Sequence, residues 1–168
     1  MRQNLLKTLI ISAALVLGLA TTSSAQLALD LDVKPGDQGV KEAKVKPGDT
    51  VQIELVALGG AQDIEGLEVQ LKFDHNKVSF KGFTPKGLMT GAMVLPLQKL
   101  DDGVKISVGF LGRKSSGDKG TAGDLFFEVS KDLGTGAAIE LVEGSFGKQG
   151  KINSFKLNDV VKLVNATA

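Results

Sequence analysis

The chain has 168 residues, 42% of them hydrophobic and 23% charged, which suits one globular domain. Its 20 Lys and Arg residues nearly balance 19 Asp and Glu residues, so no net charge draws it to nucleic acid or to an anionic membrane. It has no Cys, Trp or Tyr and a single His, which excludes disulfides, Cys-ligated metals and most cofactor chemistry. This composition predicts a binding or structural protein without cofactor or metal.

The first 25 residues have the features of a secretory signal peptide. Two basic residues, Arg2 and Lys7, precede an uncharged run, and Ser23 and Ala25 place small side chains at positions −3 and −1 of a cleavage site. The apolar part of the run is shorter than the roughly 20 residues that a membrane span requires. We expect cleavage after Ala25, export to the periplasm, cell surface or medium, and a single domain over 26–168.

Beyond the signal peptide, apolar residues recur at every second position, the period of a strand with one buried face. The pattern is longest in four segments: Leu27–Val33, Val51–Leu55, Leu67–Phe73 and Val104–Phe110. Shorter candidate strands are Val78–Phe80, Met93–Leu97, Leu125–Val129, Ala138–Val142, Ile152–Leu157 and Val160–Val164. No segment has a convincing helical period. Because each sheet must bury one apolar face, the sequence predicts an all-β, antiparallel two-sheet sandwich or jelly roll.

One five-residue motif occurs twice. Val33-Lys34-Pro35-Gly36-Asp37 recurs as Val45-Lys46-Pro47-Gly48-Asp49. Pro fixes φ at the second position of a turn and Gly accepts the positive φ of the third, so each copy predicts a type II turn. An alternative is a weak calcium site, since calcium prefers several oxygen ligands; its candidate carboxylates are Asp30, Asp32, Asp37 and Asp49.

A series of motifs in a fixed order resembles the cohesin domain family. The first half contains Gly48-Asp49-Thr50-Val51, then the alternating stretch Ile64–Asp74, then Val78. The second half contains Asp102–Val108, Gly120–Val129, Ile139–Leu141, Gly144–Phe146 and Val160–Asn165. Each motif is weak alone, but together they span nearly all of the chain after the signal peptide.

The resemblance implies a nine-stranded jelly-roll sandwich that is not an enzyme. Family members bind a dockerin module and so tether polysaccharide-degrading enzymes to a scaffold or surface. The family contacts dockerin through one sheet face that includes the strands Leu67–Phe73 and Val104–Phe110. On this face Glu68 matches an acidic contact position, and Gln70 points outward beside it.

The same resemblance places further partner-binding residues in a loop after the second of these strands: Arg113, Ser115, Ser116 and Gly117. Arg113 stands where the family often has a carboxylate, so the partner's charge is expected to differ or the partner to be another extracellular protein. We expect a monomer that binds a dockerin-like module.

Phe126 departs from the alternation of its strand. Leu125, Phe127 and Val129 form the inward set, so Phe126 points to the other side. Either a loop or a Lys side chain covers it, or it joins an apolar patch with Met93–Leu95 that marks a partner site.

Other functions have less support in the sequence. A sandwich that binds polysaccharide, or a purely structural extracellular protein, remains an alternative, although the lack of Trp and Tyr disfavours stacking on sugars. A serine triad would have to use His75, which lies in a turn. A glycosidase requires two carboxylates across a sugar-sized cleft, and the carboxylates of this chain meet that requirement in number only. The segment Gly112–Lys119 nearly matches a phosphate-binding loop, but Asp118 stands where that loop requires Lys.

Overall fold

The computed structural model describes residues 26–168, and the predicted signal peptide lies outside the described residues. The described chain forms eleven strands, not the nine that the family resemblance implies, and one short 3₁₀ helix, Gly87–Met89. The strands are β1 Gln26–Asp30, β2 Glu42–Val45, β3 Thr50–Gly59, β4 Gly66–Phe73, β5 Val78–Pro85, β6 Met93–Val94, β7 Gln98–Leu100, β8 Gly103–Gly109, β9 Gly120–Val129, β10 Gly136–Lys148 and β11 Lys151–Asn165.

These strands form two sheets, which confirms the predicted all-β sandwich. The four-stranded sheet has the order β1-β3-β9-β5. The seven-stranded sheet has the order β2-β11-β10-β4-β8-β6, with β7 also paired to β8. All pairs are antiparallel except β2 with β11, which is parallel.

The core lies between the two sheets and is built from the alternating apolar residues. In β4, Leu67, Val69, Leu71 and Phe73 are buried while the residues between them are partly exposed. Phe73 of one sheet packs edge-to-face on Phe127 of the other, with ring centroids 5.2 Å apart. Each such aromatic pair adds about 0.5–1.5 kcal/mol to the hydrophobic contribution.

The strand boundaries differ from the predicted ones at several points. β2 and β7 are short strands that the alternation did not reveal, and β11 joins two segments predicted as separate. β6 ends at Val94, because Pro96 lacks the N–H that would continue the ladder. Three residues follow β6 before β7 begins.

The predicted first strand is wrong beyond Asp30, where β1 ends. Val33 is 46% exposed in a loop, and Asp30, expected to face solvent, is fully buried. The physical reason is that the chain reverses after β1 and its backbone amides fold over the Asp30 carboxylate.

Both repeated motifs place Gly at a positive φ, 96° for Gly36 and 90° for Gly48. In the second copy the Asp49 N–H donates to the Lys46 carbonyl at 3.1 Å, which confirms the predicted type II turn. In the first copy no hydrogen bond joins the Asp37 N–H to the Lys34 carbonyl among the described residues, so the closed turn predicted there is not formed; the Gly36 N–H donates to Thr121 Oγ1 at 3.2 Å. Across 26–168, no helix has the length and apolar character needed to cross a membrane.

Candidate functional site

The predicted partner-binding strands, β4 and β8, lie side by side at the centre of the seven-stranded sheet. Their register places Glu68 opposite Ser107 and Gln70 opposite Lys105. Residues opposite each other in a sheet point to the same side, so these side chains share the outer surface of the sandwich. We call this surface the β4–β8 face: Glu68, Gln70, Lys72, Lys105 and Ser107.

Glu68 is held by two partners on the neighbouring strand. Its Oε1 lies 2.7 Å from the Lys105 ammonium, and the Ser107 hydroxyl donates to its Oε2 at 2.8 Å. Both charged side chains are more than one third exposed, so the pair is open to solvent and to a partner. The two contacts fix the direction of the carboxylate on the face.

A second ion pair lies at the end of the same face. The Lys72 ammonium is 2.9 Å from Oδ2 of Asp102, and both side chains are about half exposed. The hydrogen bond to Asp102 raises the pKa of Lys72, and the same bond lowers the pKa of Asp102. The charges of the β4–β8 face are thus matched in pairs.

An exposed apolar strip borders the β4–β8 face at its β6 edge. Met93 pairs with Gly109 of β8, and the Leu95 N–H donates to the Ser107 carbonyl at 2.9 Å. Leu111, which follows β8 closely, is 78% exposed. Of nine large hydrophobic residues that are exposed in the described chain, five lie in or near this edge along the chain: Met93, Val94, Leu95, Leu97 and Leu111. Val94 stands opposite the buried Val108, and Leu97 lines a pocket with Phe80 of the other sheet, so we restrict the name β6 strip to Met93, Leu95 and Leu111. Concentrated apolar exposure of this kind marks an interaction surface.

The predicted contact loop after β8 is divided between exposed and structural residues. Arg113 is exposed beside Gly91, just before β6, and Ser116 is also exposed. Gly117 is partly buried; a β-carbon there would lie 3.3 Å from Cδ2 of Leu88. Arg113 therefore lies near the start of β6, and no ion pair or hydrogen bond joins it to Glu68 within 26–168.

Ser115 is not available to a partner. It is only 5% exposed. Its hydroxyl donates to the Ala61 carbonyl and accepts a hydrogen bond from the Ile64 N–H at 3.0 Å. Its own N–H donates to the Ile64 carbonyl at 2.9 Å. The prediction that Ser115 supplies a polar contact is therefore wrong, because this residue ties two loops together.

Phe126 points outward, as its strand pattern predicts, but from the other sheet. Its strand β9 lies between β3 and β5, and its register partners are Gln52 and Gly82. Phe126 is partly buried on the outer face of the four-stranded sheet. The predicted patch with Met93–Leu95 is therefore not formed, because the β6 strip belongs to the seven-stranded sheet.

The four carboxylates of the calcium alternative are used within the protein. Asp30 accepts backbone N–H groups of the following loop, and Asp49 Oδ2 accepts the Lys46 N–H at 2.8 Å in a separate turn. In the part of the chain that the structure describes, no group of three or more His, Cys, Asp or Glu residues is arranged to hold a metal ion.

A groove of about 590 Å³ opens at the Lys72 end of the β4–β8 face. It is lined by the small residues Gly136, Ala137 and Ala138 at the start of β10 and by Lys72 and Asp102. The sequence did not reveal this groove, nor that Leu111 belongs to the β6 strip. The one available signal was the apolar character of Met93–Leu97 on both sides of the chain.

No protein-family model matches the chain, and no curated protein matches it. Solved structures of cohesin modules do match. The sixth cohesin of scaffoldin B from Acetivibrio cellulolyticus, solved in complex with a Cel5 dockerin, is 19% identical with a TM-score of 0.56, over 83% of this chain and 98% of that one.

Two further matches come from different settings. The cohesin module of a family 33 glycoside hydrolase from Clostridium perfringens is 13% identical with a TM-score of 0.61, over 84% of this chain and 96% of that one. A non-cellulosomal cohesin from the archaeon Archaeoglobus fulgidus is 16% identical with a TM-score of 0.51, over 84% and 93%. At these identities the likeness is one of fold, and the fold of this chain is that of the cohesin modules.

Proposed function

We propose that the protein is an exported, non-catalytic module that docks a dockerin-like protein through the β4–β8 face and the β6 strip. The observation that carries this proposal is the position of the strip. It places exposed apolar side chains directly beside a polar surface whose charges are fixed by ion pairs. Protein interfaces commonly combine an apolar contact area with a polar surround in this way.

The charges of the face indicate what kind of contact it makes. Glu68 is matched by Lys105 and Lys72 by Asp102, so the surface offers oriented polar groups rather than one net charge. Arg113, at the end of the strip, adds a cation that forms no ion pair within residues 26–168. We infer that apolar contacts at the strip supply most of the affinity and that the polar groups set orientation.

The fold supports this assignment over a catalytic one. The cohesin from Acetivibrio cellulolyticus was solved with a dockerin bound, which is the class of partner we propose here. Export follows from the predicted signal peptide, and a role in assembling polysaccharide-degrading enzymes follows from the family resemblance. We propose a monomeric module in that role.

A direct binding experiment tests the proposal. The purified protein is titrated in solution with dockerin modules encoded by its own organism, and each affinity is measured by calorimetry. We expect at least one dockerin to bind and a Leu95→Ser, Leu111→Ser double variant to lose that binding. If no dockerin binds but other exported proteins do, the partner is one of those proteins and not a dockerin.

The groove beside Lys72 supports one second candidate, a polysaccharide-binding module. Its lining of Lys, Asp and Glu side chains can form hydrogen bonds with sugar hydroxyl groups. A glycan panel run beside the dockerin panel distinguishes the two functions. Glycan binding that Asp102→Ala abolishes, together with no dockerin binding, would establish this alternative.

A further inference from the structure

The loop between β1 and β2, residues 31–41, folds back over the outer face of the four-stranded sheet, away from the β4–β8 face. Its base is closed by a hydrogen bond from the Leu31 N–H to the Val40 carbonyl at 3.0 Å. The fully buried Asp30 carboxylate lies inside this turn. It accepts backbone N–H groups from Asp32 at 2.8 Å, Gly39 at 2.7 Å, Val40 at 3.3 Å, and Gln38.

The tip of the 31–41 loop has a second, weaker attachment. The Gly36 N–H points to Thr121 Oγ1 at 3.2 Å and to Glu54 Oε1 at 3.4 Å. The Thr121 hydroxyl in turn donates to the same Glu54 oxygen. The tip is therefore held by one shared N–H, whereas the base is held by several short hydrogen bonds to Asp30.

Glu54 beneath the tip is a carboxyl group with too few partners. It is 2% exposed, and its Oε2 is buried with no hydrogen-bond partner among the described residues. The strand register places Asp30 on one side of it and Asp124 on the other. The half-exposed Lys86 forms its ion pair with Asp124.

The charged groups of the loop itself do not compensate Glu54. Lys34 lies 3.4 Å from Asp32 and is mostly exposed, and Asp37 accepts the Gly39 N–H. Lys41 forms its ion pair with Asp159 at 2.9 Å and donates to the Leu29 carbonyl. Together with Asp30, Asp124 and Lys86, these are the charged groups near Glu54 in the described elements that pack there. Ionised Glu54 would thus be a buried anion between two other carboxylates.

The two acids of this row respond oppositely to their surroundings. Burial acts to raise the pKa of Asp30, but the N–H groups of Asp32, Gln38 and Gly39 outweigh it and the pKa is lowered. Burial, together with the charges of Asp124 and Asp30, raises the pKa of Glu54 despite its hydrogen bonds to Thr121 and Gly36. Asp30 therefore stays ionised throughout the pH range in which Glu54 titrates.

We propose that the 31–41 loop is a hinged clasp: Asp30 holds its base, and residues 34–37 lift from the sheet when Glu54 ionises. The free energy of a buried carboxylate without a counter-charge falls when the group is exposed to water. The hydrogen bonds of the single Gly36 N–H hold the tip over Glu54 and so keep water from its carboxylate. Lifting the tip opens the Asp30, Glu54 and Asp124 row to solvent while the base stays closed.

Nuclear magnetic resonance of the labelled protein tests this clasp. The Glu54 side-chain carbon is titrated between pH 4 and 9, and amide-exchange protection is followed after correction for the intrinsic exchange rate. We expect protection of the Gly36 amide to fall about tenfold or more as Glu54 loses its proton. The Gly39 amide, which Asp30 holds, is expected to keep its protection.

A matched pair of variants assigns the response to Glu54. Glu54→Gln removes the ionisation and is expected to keep Gly36 protected at every pH. Glu128→Gln, an exposed acid on the outer face of the same sheet, is expected to leave the response unchanged. Titration of Glu54 in the wild-type protein without any change at Gly36 would overturn the proposal, whether or not the variants fold.

Discussion

The ammonium of Lys105 lies 2.7 Å from Oε1 of Glu68, across two neighbouring strands of the β4–β8 face. Gln70, not Glu68, stands directly opposite Lys105 in the register, so the ion pair runs diagonally. With Ser107 holding the other carboxylate oxygen, Glu68 presents a fixed orientation to a partner.

Glu68→Ala is expected to weaken partner binding tenfold or more, a loss of about 1.4 kcal/mol. The change leaves Lys105 without its counter-charge and removes an oriented acceptor. Stability is expected to change by less than about 1 kcal/mol, because exposed ion pairs contribute little. Calorimetric binding and thermal melting measure the two effects.

The control for this variant is Glu128→Ala, which breaks an exposed ion pair with Lys81 on the opposite side of the sandwich. We expect it to leave affinity unchanged. Equal affinities for both variants and the wild type would remove Glu68 from the interface.

Leu111→Ser is expected to weaken partner binding by more than about 1 kcal/mol without lowering the melting temperature. Leu111 is 78% exposed, so its side chain contributes little to the core but is available to a partner. The matched control is Val33→Ser, since Val33 is 46% exposed in the 31–41 loop, on the opposite side of the sandwich. Similar losses of affinity in both variants would indicate that the effect is not specific to the strip.

Alternation predicted the sheets well because it reports local geometry. Glu68 and Gln70 point outward and Leu67 and Val69 inward, as their two-residue period requires. The same rule placed Phe126 outward correctly. It carries no information about which sheet a strand joins, so it could not show that Phe126 and Met93 lie on different sheets.

The errors arose where side chains bond to the backbone of loops outside their own segment. Asp30 is a polar residue at a solvent-facing position by period, yet loop amides bury it. Ser115 lies in a Gly- and Ser-rich loop that resembles a flexible one, yet its hydroxyl bonds to backbone atoms of residues 61 and 64, more than 50 positions away. Such contacts depend on the assembled fold and leave no local pattern.

Ser115→Ala is expected to lower the free energy of unfolding by about 1–3 kcal/mol, because it leaves the Ile64 N–H and the Ala61 carbonyl without their partner. Partner affinity of the folded variant is expected to stay unchanged. The neighbouring Ser116→Ala is the control, since Ser116 is exposed. Urea denaturation of both variants checks this; equal stability would mean that the buried hydroxyl is dispensable.

Phe126→Ser is expected to leave partner affinity unchanged, because Phe126 lies on the four-stranded sheet. Its partial burial predicts a stability cost below the roughly 3–5 kcal/mol typical of a fully buried Phe truncation. Thermal melting and calorimetric binding on one preparation measure both quantities. A tenfold loss of affinity would instead place the partner on this sheet.

Asp30→Asn tests the buried carboxylate through the pH dependence of stability. The folded pKa of Asp30 is lowered relative to the unfolded chain, so its stabilising contribution is present above the unfolded value, near 3.9, and is lost as pH falls through the folded value. The variant loses the charge that several N–H groups share, at a cost of about 1.5–3 kcal/mol. We expect it to be less stable than wild type between pH 5 and 7, with the difference shrinking in acid.

Urea denaturation from pH 2.5 to 7 gives both stability curves for this comparison. Asp32→Asn is the matched control, because Asp32 is the next acid along the loop and is paired with the exposed Lys34. Its curve is expected to run close to that of the wild type. If the Asp30→Asn and wild-type curves stay parallel down to the lowest pH, the loop amides do not depend on an ionised Asp30.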